Sequence, residues 1–562
     1  MAGAGADVSE PTTVAALLAA RAADDRVGLV FGEQRWTWRE VVAESRRRAE
    51  LALAMAPGNP GVPFHVGVLL GNVPDYLFWL GGAALAGAVV VGINPTRRGA
   101  ELERDIRFTE CRMLVTDAEG AALLRGLDTG VSAQRTVRVD LDPLPEVELP
   151  AGRPAPRAVT RRTLFLLLFT SGTTGAPKAV QCSQGRLADI AHRASEFYGF
   201  AADDVCYCPM PLFHGNAVMA LWAPALAVGA RVALTPRFSA SGFLADVRRY
   251  GVTRFTYVGR ALAYVLATPE RPDDARNPLR FGFGTEASAR DRREFERRFG
   301  CRLVEGYGSS EGGLAINRTP DTPPGALGPA GDEVVVVDPE TGELRPRARL
   351  GTDGRLENAE SAIGELVSRS GGARFEGYWR LPDVNAARTR EGWYWTGDLG
   401  FVDEDGFVWF AGRSDDWIRV DSENFAAAPV ERILERHPEV VTAAVYPVAD
   451  PRSGDQVMAA VELRPDSDAD RFAEGLGRFL ADQADLGTKW APRFVRVSAA
   501  LPLTASGKIT KHGLRNEGWC CAEDCFWRPG PGERSYRRLT AEDAEEIAAA
   551  FAAYDRTALL PG

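Results

Sequence analysis

The spacing of hydrophobic positions predicts alternating helices and buried strands along the first half of the chain. From Val14 to Asp117, helical stretches alternate with short apolar runs such as HVGVLL (65–70) and RMLVTD (112–117). Continuous apolar runs are typical of parallel strands that are covered on both faces. We predict one α/β region here, and a second that begins at the strand before residue 169 and continues to CRLVEGYG (301–308).

One apolar run is long enough to be considered as a membrane span. Residues 76–93, YLFWLGGAALAGAVVVGI, carry no charge over 18 positions. Helix-forming residues continue to Ala86, Gly87 interrupts them, and β-branched residues follow before Asn94. This order favours a buried helix that leads into a buried parallel strand.

The pattern changes to turns and β-rich segments around Pro320. EVVVVD (333–338), GELVSR (364–369) and GFVWFAG (406–412) indicate a smaller β-structured subdomain. The fold class is therefore predicted to be multidomain α/β, with two α/β subdomains followed by a β-rich subdomain.

Two helices are predicted beyond residue 413. One begins at Pro429, where apolar residues recur at helical spacing as far as His437. The other follows the capping pair Thr540 and Asp543. These helices indicate a further, separate unit at the end of the chain.

The composition excludes some classes of function and leaves others open. The chain has 562 residues, 45% of them hydrophobic and 25% charged, as expected of a globular protein with several domains. Its net charge of -10 argues against a nucleic-acid partner. A small anionic ligand remains compatible with that charge, because such sites are built from loop amides and one or two cations.

The cysteines and the amino terminus indicate a cytoplasmic protein. The eight cysteines are scattered and show no paired CxxC spacing, so reduced thiols are favoured over zinc ligands or disulfides. The start, MAGAGADVSEP, has neither the basic nor the apolar region of an export signal.

The segment FTSGTTGAPKAV (169–180) predicts a phosphate site. Only four of the 66 basic residues of the chain are lysines, and Lys178 is one of them. Glycines let backbone N–H groups approach phosphate oxygens, while hydroxyls and a lysine add donors and charge. The spacing is GxxGxxK rather than GxxxxGK[ST], so this is not the P-loop of a nucleotide triphosphatase. We expect the loop to join a strand to a helix.

A second motif, GSSEG (308–312), fits the GxSxG pattern of serine hydrolases. That pattern requires a strand, a sharp turn and then a helix. The segment GGLAINRTPDTPPG (312–325) is a poor helix, so a hydrolase is disfavoured.

Four motifs in order resemble the adenylate-forming superfamily of acyl-CoA synthetases, luciferases and adenylation domains. They are LLFTSGTTGAPKAV, GYGSSEGG, WYWTGDLGFVDEDGFVWFAGRSDDWIR and LPLTASGKITKHGLR, and the resemblance covers nearly the whole chain. PKA (177–179), SENFAAAPVE (422–431) and CFWRPGPGERSYRRL (525–539) resemble the long-chain or very-long-chain, fatty-acid-transport-protein-like branch.

The resemblance implies an ATP-dependent, AMP-forming acid–thiol ligase. A carboxylate would attack the α-phosphate of Mg-ATP to give an acyl-adenylate, and the thiol of CoA would then displace AMP. An anion must approach a polyanion in the first step, so cations have to offset the repulsion. ATP, Mg²⁺ and CoA are therefore the expected cofactors, and a hydrophobic carboxylic acid is the expected substrate.

The resemblance also assigns a role to each motif residue. Lys508 would bridge the carboxylate and the α-phosphate, and His214 would lie beside the acyl pocket, which 217–228 and 254–266 would line. Glu311 would hold Mg²⁺, Asp398 the ribose hydroxyls, and Arg413 ribose or phosphate. The remaining positions for the phosphates or the adenine pocket are Thr170, Ser171, Gly172, Thr173, Thr174, Gly175, Lys178, Gly284, Tyr307 and Ser310.

In that family a small C-terminal domain moves between the two half-reactions. The matching division gives an N-terminal adenylation domain over 1–413 and a mobile α+β domain over 414–562, with the hinge at Asp415. Ser422 replaces the usual glycine in the loop that approaches the pantetheine passage. An enzyme restricted to one half-reaction therefore stays open as an alternative.

Several further alternatives also stay open. They are a carrier protein as acceptor, a bulky biosynthetic acid as substrate, a ligand-binding relative without turnover, a homodimer and peripheral membrane association.

Overall fold

The computed structural model describes most of the chain, including nearly all of the predicted elements. The described ranges are 11–56, 62–141, 158–170, 178–285, 287, 289–339, 341–351, 356–413, 417–420, 423–451, 455–483, 486–487, 489–504, 508–530, 533–554 and 556–561. In these ranges, every helix is too short or too polar to cross a bilayer.

The first part of the chain alternates strands and helices as predicted. Its strands are β1 (Val27–Phe31), β2 (Gln34–Thr37), β3 (His65–Leu69), β4 (Val89–Gly92), β5 (Met113–Thr116) and β6 (Thr136–Arg138), and its helices are α1 (Val14–Ala19), α2 (Trp38–Met55), α3 (Pro74–Ala86), α4 (Gly99–Phe108) and α5 (Ala118–Leu124). The run 76–93 is a buried helix followed by a buried strand, as predicted. Gly87 ends α3 with φ 66°, a conformation that glycine adopts without strain.

The second part continues the alternation. It contains strands β7 (Leu164–Thr170), β8 (Lys178–Ser183), β9 (Val205–Cys208), β10 (Arg231–Leu234), β11 (Arg254–Val258), β12 (Phe281–Thr285), β13 (Arg302–Gly308) and β14 (Ala315–Asn317), with helices α6 (Gln184–Phe197), α7 (Gly215–Ala217), α8 (Ala223–Val228), α9 (Phe243–Tyr250), α10 (Gly259–Leu266) and α11 (Ala289–Phe299). A π-helical turn, Val218–Trp222, joins α7 to α8.

These strands form two mainly parallel sheets. The larger has the order β14-β13-β12-β11-β9-β10-β1-β2, and the smaller has the order β6-β5-β3-β4-β7-β8. A single hydrophobic core packs α1, α2, α3 and α6 between the two sheets. Parallel strands with helices on both faces account for the continuous apolar runs in the sequence.

Two predictions about strand neighbours are wrong. The strand before residue 169, β7, belongs to the sheet of the first region, whereas β1 and β2 join the second sheet. Lys178 begins β8, which pairs antiparallel with β7 so that Thr170 lies opposite Lys178. The loop therefore joins two strands of a hairpin rather than a strand and a helix. Strand pairing is a long-range choice that hydrophobic periodicity does not specify.

The β-rich subdomain is present where the sequence predicts it. Its elements are β15 (Gly328–Pro329), β16 (Val334–Val337), β17 (Gly364–Ser368), β18 (Thr389–Arg390), β19 (Trp393–Val402), β20 (Phe407–Arg413), α12 (Ala359–Ala362) and α13 (Pro382–Arg388). The strands pair antiparallel in the order β15-β20-β19-β17-β16, with β18 beside β19.

The last part of the chain is a small α+β domain. It contains β21 (Trp417–Val420), β22 (Glu423–Ala426), β23 (Val440–Ala449), β24 (Asp455–Leu463), β25 (Phe494–Ser498), β26 (Asp524–Trp527), β27 (Arg537–Arg538), α14 (Ala427–Leu434), α15 (Ala469–Ala481), α16 (His512–Glu517) and α17 (Ala541–Ala553). Strands β23 to β27 form one sheet in chain order. It has its own hydrophobic core of aliphatic and aromatic residues.

Both predicted C-terminal helices are present. The Thr540–Asp543 capping box begins α17, as predicted. The other helix, α14, begins at Ala427 and ends at Leu434, so His437 lies beyond its end. The His437 ring instead packs edge-on against Phe472 and Phe479, at 4.9 and 4.8 Å between ring centres.

Candidate active site

A cleft of about 1840 Å³ lies where the N-terminal sheets meet the C-terminal domain. The ends of β7 and β8, the residues after β13, the middle of β19 and the segment around residue 508 all line it. Ligands of α/β proteins commonly bind beyond the carboxyl ends of parallel strands, and β7 and β13 both end at this cleft. The predicted site residues that line it are Thr170, Lys178, His214, Tyr307, Ser310, Glu311, Asp398 and Lys508.

We call one side of the cleft the polar end, defined by Thr170, Lys178, Tyr307, Glu311 and Asp398. Thr170 and Lys178 are neighbours across the β7–β8 hairpin, where the predicted phosphate loop leaves and rejoins the sheet. Because Lys178 belongs to strand β8, the hairpin alone places it at the cleft.

Tyr307 and Asp398 meet in a hydrogen bond at the polar end. The Tyr307 hydroxyl donates to Oδ2 of Asp398 at 2.5 Å. Burial, and then the Asp398 carboxylate, raise the pKa of Tyr307 well above its usual value, so the phenol keeps its proton. The backbone N–H of Asp398 donates to Oγ1 of Thr396 at 3.0 Å. Two side chains from different strands are thus held together at one wall.

Glu311 is positioned by a tyrosine from the β-rich subdomain. The Tyr378 hydroxyl donates to Oε1 of Glu311 at 2.8 Å, and burial followed by this carboxylate raises the pKa of Tyr378. The second Glu311 oxygen makes no hydrogen bond within the described part of the chain. It is a hard oxygen donor, of the kind that Mg²⁺ prefers.

The oxygen ligands near Glu311 fit Mg²⁺, which is held partly by substrate and water, better than a metal ion that is held by protein side chains alone. In the described ranges, no three His, Cys, Asp or Glu side chains gather into a metal site. Mg²⁺ is usually held by one or two carboxylates together with substrate phosphates and water. Glu311, which has one carboxylate oxygen without a hydrogen bond in the described ranges, matches that pattern.

Arg388 is a half-buried cation behind the polar end. Its Nη1 donates to the carbonyl oxygen of Trp395 at 3.1 Å, and a Cβ added to Gly397 would lie 2.5 Å from the same nitrogen. Burial opposes its charge, but nearby groups, including Tyr378 and Glu311, raise the pKa of Arg388 overall. The guanidinium thus packs behind the turn that carries Asp398 and adds positive charge near Glu311.

His214 of the N-terminal domain and Lys508 of the C-terminal domain lie close to each other in the cleft. His214 caps α7, and its Nε2 is enclosed without a hydrogen-bond partner in the described part of the chain. Burial, and then the Lys508 ammonium, lower the pKa of His214 to about 4. Hydrogen bonds with Thr504 hold the Lys508 backbone, including one from the Thr504 N–H to the Lys508 carbonyl at 2.7 Å. The lysine of the C-terminal domain therefore lies close to a neutral imidazole of the N-terminal domain.

The other side of the cleft is the apolar end, defined by Tyr198, Met219, Phe283, Gly306 and Asn317. All five line the cleft. The π-helical turn supplies Met219, and β12 supplies Phe283. A Cβ on Gly306 would lie 3.3 Å from both Asn317 Oδ1 and Phe283 Cε2 and 3.5 Å from Tyr198 Oη, so the missing side chain leaves space among these three side chains. Of the predicted segment 254–266, Val258 lines the cleft.

The remaining predicted residues fall in several places. Ser310 is fixed by Arg186, which donates to its carbonyl oxygen. A Cβ on Gly284 would lie 2.4 Å from the Tyr257 ring, so Gly284 faces the core while its neighbour Phe283 faces the cleft. Arg413 pairs with Asp398 through the β19–β20 backbone. The positions outside the described residues are Ser171, Gly172, Thr173, Thr174, Gly175, Asp415 and Ser422.

Four cleft residues carry no sequence signal of their own. Tyr378 and Arg388 lie between recognised motifs, and Tyr198 and Asn317 lie at the ends of a helix and of an edge strand. Their spacing along the chain fits no catalytic pattern, because only the fold brings them to the cleft. A tyrosine or arginine beside a motif is too common a feature to indicate a site.

Comparison with known proteins identifies the family. Residues 18–379 match the AMP-binding enzyme family, and residues 429–508 match the AMP-binding enzyme C-terminal domain. The chain belongs to the AMP-binding enzyme family, and its predicted resemblance to the adenylate-forming superfamily is confirmed.

Individual relatives narrow the class to acyl-CoA synthetases. Steroid-22-oyl-CoA synthetase of Rhodococcus jostii (strain RHA1) is 55% identical over 98% of this chain and 99% of its own. Medium/long-chain-fatty-acid–CoA ligase FadD17 of Mycobacterium tuberculosis (strain ATCC 25618 / H37Rv) is 44% identical over 92% of this chain and 98% of its own. The predicted class, an ATP-dependent, AMP-forming acid–thiol ligase that uses CoA, is confirmed.

Solved structures share the fold. A benzoate CoA ligase from Burkholderia xenovorans LB400 matches with a TM-score of 0.75 and 22% identity, over 90% of this chain and 99% of that one. This likeness confirms the predicted architecture of a large N-terminal domain and a small C-terminal domain.

Proposed function

We propose that this enzyme converts a bulky polycyclic acid of the steroid-22-oic type to its CoA thioester. The observation that carries the proposal is the 55% identity to the steroid-22-oyl-CoA synthetase over nearly the full length of both chains. The space left by the missing side chain at Gly306 supports it, because a rigid ring system needs more room than a linear chain.

The first half-reaction is an attack of the acid carboxylate on the α-phosphate of ATP. We assign Lys508 to the carboxylate and the α-phosphate, because its ammonium lies near His214 at the junction of the polar and apolar ends. A positioned ammonium offsets the repulsion between the two anions and the charge that develops as pyrophosphate leaves. His214 stays neutral beside it and presents no competing positive charge.

The polar end holds the nucleotide in this proposal. Asp398 accepts the ribose hydroxyls, and Tyr307, fixed by its bond to Asp398, lies against adenine. Lys178, Thr170 and the loop between them bind the outer phosphates. Glu311 would hold Mg²⁺, which would supply positive charge to neutralise the phosphates.

The second half-reaction transfers the acyl group to CoA after the C-terminal domain has turned. We place the division between the domains at residues 413 and 414, with Asp415 as the hinge. The closeness of Lys508 to His214 supports the reading that this structure has the orientation suited to adenylation.

The proposal is tested with a panel of acids, ATP and CoA, with acyl-AMP and acyl-CoA measured by mass spectrometry. We expect a steroid-22-oic acid to give both products with a kcat/KM above that of medium- and long-chain fatty acids. Preference for the fatty acids would instead favour the activity named for FadD17.

A separate experiment tests which acceptor the enzyme uses and whether it performs both half-reactions. CoA and a holo carrier protein are offered side by side, and ATP–pyrophosphate exchange is measured apart from transfer onto supplied acyl-adenylate. We expect CoA to be the acceptor and both half-reactions to proceed. Exchange without transfer would show an enzyme restricted to adenylation.

A further inference from the structure

We propose that Tyr198 and Asn317 form a specificity site for a second polar group of the acid, a keto or hydroxyl oxygen remote from the carboxylate. The inference rests on the proposed polycyclic substrate. It adds that this acid has an oxygen-containing group at the end remote from its carboxylate. Neither residue belongs to a recognised motif.

The two side chains form a polar pair at the wall of the cleft, where Tyr198 is half-buried beside aromatic rings and Asn317 is exposed. Tyr198 caps the C-terminus of α6, and its hydroxyl donates to Oδ1 of Asn317 at 3.1 Å. The Tyr198 ring packs against Phe283 and Phe281, with ring centres 4.6 and 5.8 Å apart. These contacts hold the phenol in one place at the wall of the cleft.

The pair lies on the N-terminal side of the motif residues that follow β13. Asn317 is opposite Gly306 in the β13–β14 ladder. Strand β13 ends at Gly308, and the chain continues to Ser310, which lines the same cleft as Lys508 and His214. A strand rises about 3.3 Å per residue, so the pair lies about 7 Å further along the cleft than Gly308. A short acid held at Lys508 stops before this point, whereas a rigid polycyclic acid extends towards it.

The pair retains hydrogen-bonding capacity for a ligand. Within the described part of the chain, the Asn317 amide N–H groups have no partner, because the bond to Tyr198 uses the amide oxygen. Burial raises the pKa of Tyr198, so the phenol remains a donor to Asn317 and its oxygen can accept another bond. A keto oxygen would accept from the amide, and a hydroxyl would donate to the phenol oxygen.

A purely structural role is the competing explanation, since the bond also links α6 to the edge strand β14. The two explanations differ in what a substitution changes. A structural link affects stability and all acids alike, whereas a specificity site changes the ratio between acids with and without the remote oxygen. Sites built to bond a polar group discriminate strongly against analogues that lack it.

The test compares two steroid-22-oic acids that differ only in a keto group on the ring farthest from the side chain. The kcat/KM for each acid and the KM for ATP are measured for the unmodified enzyme, Tyr198→Phe and Asn317→Ala. Tyr250→Phe is the matched control, because Tyr250 ends α9 and does not line the cleft.

We expect the unmodified enzyme and the control to prefer the keto acid by about tenfold, the effect of one well-placed hydrogen bond. Asn317→Ala should bring the ratio close to one without changing the KM for ATP, and Tyr198→Phe should lower it in part. A ratio of one in the unmodified enzyme, with both acids turned over, would overturn the inference while leaving the proposed function intact. Turnover of fatty acids alone would overturn both.

Discussion

The polar and apolar ends of the cleft are built in different ways. At the polar end, motif side chains are held by side-chain hydrogen bonds. Tyr307 bonds to Asp398, and Glu311 accepts a bond from Tyr378, which lies between motifs. At the apolar end, the wall is shaped by ring packing and by a missing side chain at Gly306. The five residues that define the polar end all stand in recognised motifs, as expected if this end holds the nucleotide as we propose. In the proposed function the apolar end holds the acid; apart from Gly306, which belongs to GYGSSEGG, the residues that define it lie outside the four motifs.

The largest effect is expected at the junction of the two ends, from Lys508→Ala. Removing one positioned charge from a transition state costs about 10²- to 10³-fold in rate. ATP–pyrophosphate exchange should fall by this factor for every acid, because in the proposed mechanism the lysine contacts the reacting atoms.

The matched control for Lys508→Ala is Lys511→Ala. Lys511 is three residues away, lies outside the cleft wall, and forms an ion pair with Glu431 at 2.7 Å. Its loss should change the exchange rate by less than a few-fold. Equal losses in the two variants would show that the lysine segment contributes stability rather than charge.

Asp398→Asn tests the polar end alone. The substitution weakens a hydrogen bond to a charged group, a contribution of about 1.5 to 3 kcal/mol, so the KM for ATP should rise by about 10- to 100-fold. The relative kcat/KM values of different acids should stay the same. A double-mutant cycle with Tyr307→Phe should be non-additive, because the two side chains bond to each other. Full additivity would mean that they bind the nucleotide independently.

His214 at the junction gives a pH signature. The pKa of His214 is lowered to about 4 in the folded protein. Between about pH 6.5 and pH 4 its imidazole is therefore mostly protonated in the unfolded chain and mostly neutral in the folded protein. The stability of the enzyme should therefore fall as the pH drops from about 6.5 to about 4. The contribution of His214 to this loss is about 2 kcal/mol at pH 5.

Urea unfolding of His214→Gln between pH 7 and 4.5 measures this contribution. The variant should lose less stability than the unmodified enzyme over that range. His512→Gln, at the exposed start of α16, is the control. Parallel curves for the unmodified enzyme and His214→Gln would show that the imidazole titrates normally.

Gly306→Ala should give the smallest effect and tests the apolar end alone. The new methyl group would stand 3.3 Å from both Phe283 Cε2 and Asn317 Oδ1 and take up space at the cleft wall. The kcat/KM for a polycyclic acid should fall by about tenfold, within the range of one methyl group in a fitted pocket, while linear acids and the KM for ATP change less.

Gly475→Ala is the matched control, because a Cβ on Gly475 meets nothing within 4 Å. A rise in the KM for ATP in Gly306→Ala would contradict this view, because a change at the apolar end would then also affect nucleotide binding at the polar end.

The sequence predicted what depends on local pattern. Gly87 marked the break between α3 and β4, and Thr540 with Asp543 marked the start of α17, because caps and breakers act over a few residues. The β7–β8 hairpin was mistaken for a strand–helix unit, because pairing across the loop is not encoded in periodicity. Tyr198 and Asn317 meet across 119 positions of the chain, which no local rule could indicate.

The π-helical turn at Val218–Trp222 has a consequence for how the specificity of this enzyme can change. A π-turn arises when one extra residue is accommodated within an α-helix, and it is frequent at functional sites. Deleting one residue there would restore regular α-helical geometry and rotate the side chains that face the cleft by about 100° per residue. Insertions and deletions of a single codon, rather than substitutions, are thus a direct evolutionary route to a differently shaped pocket on an unchanged scaffold.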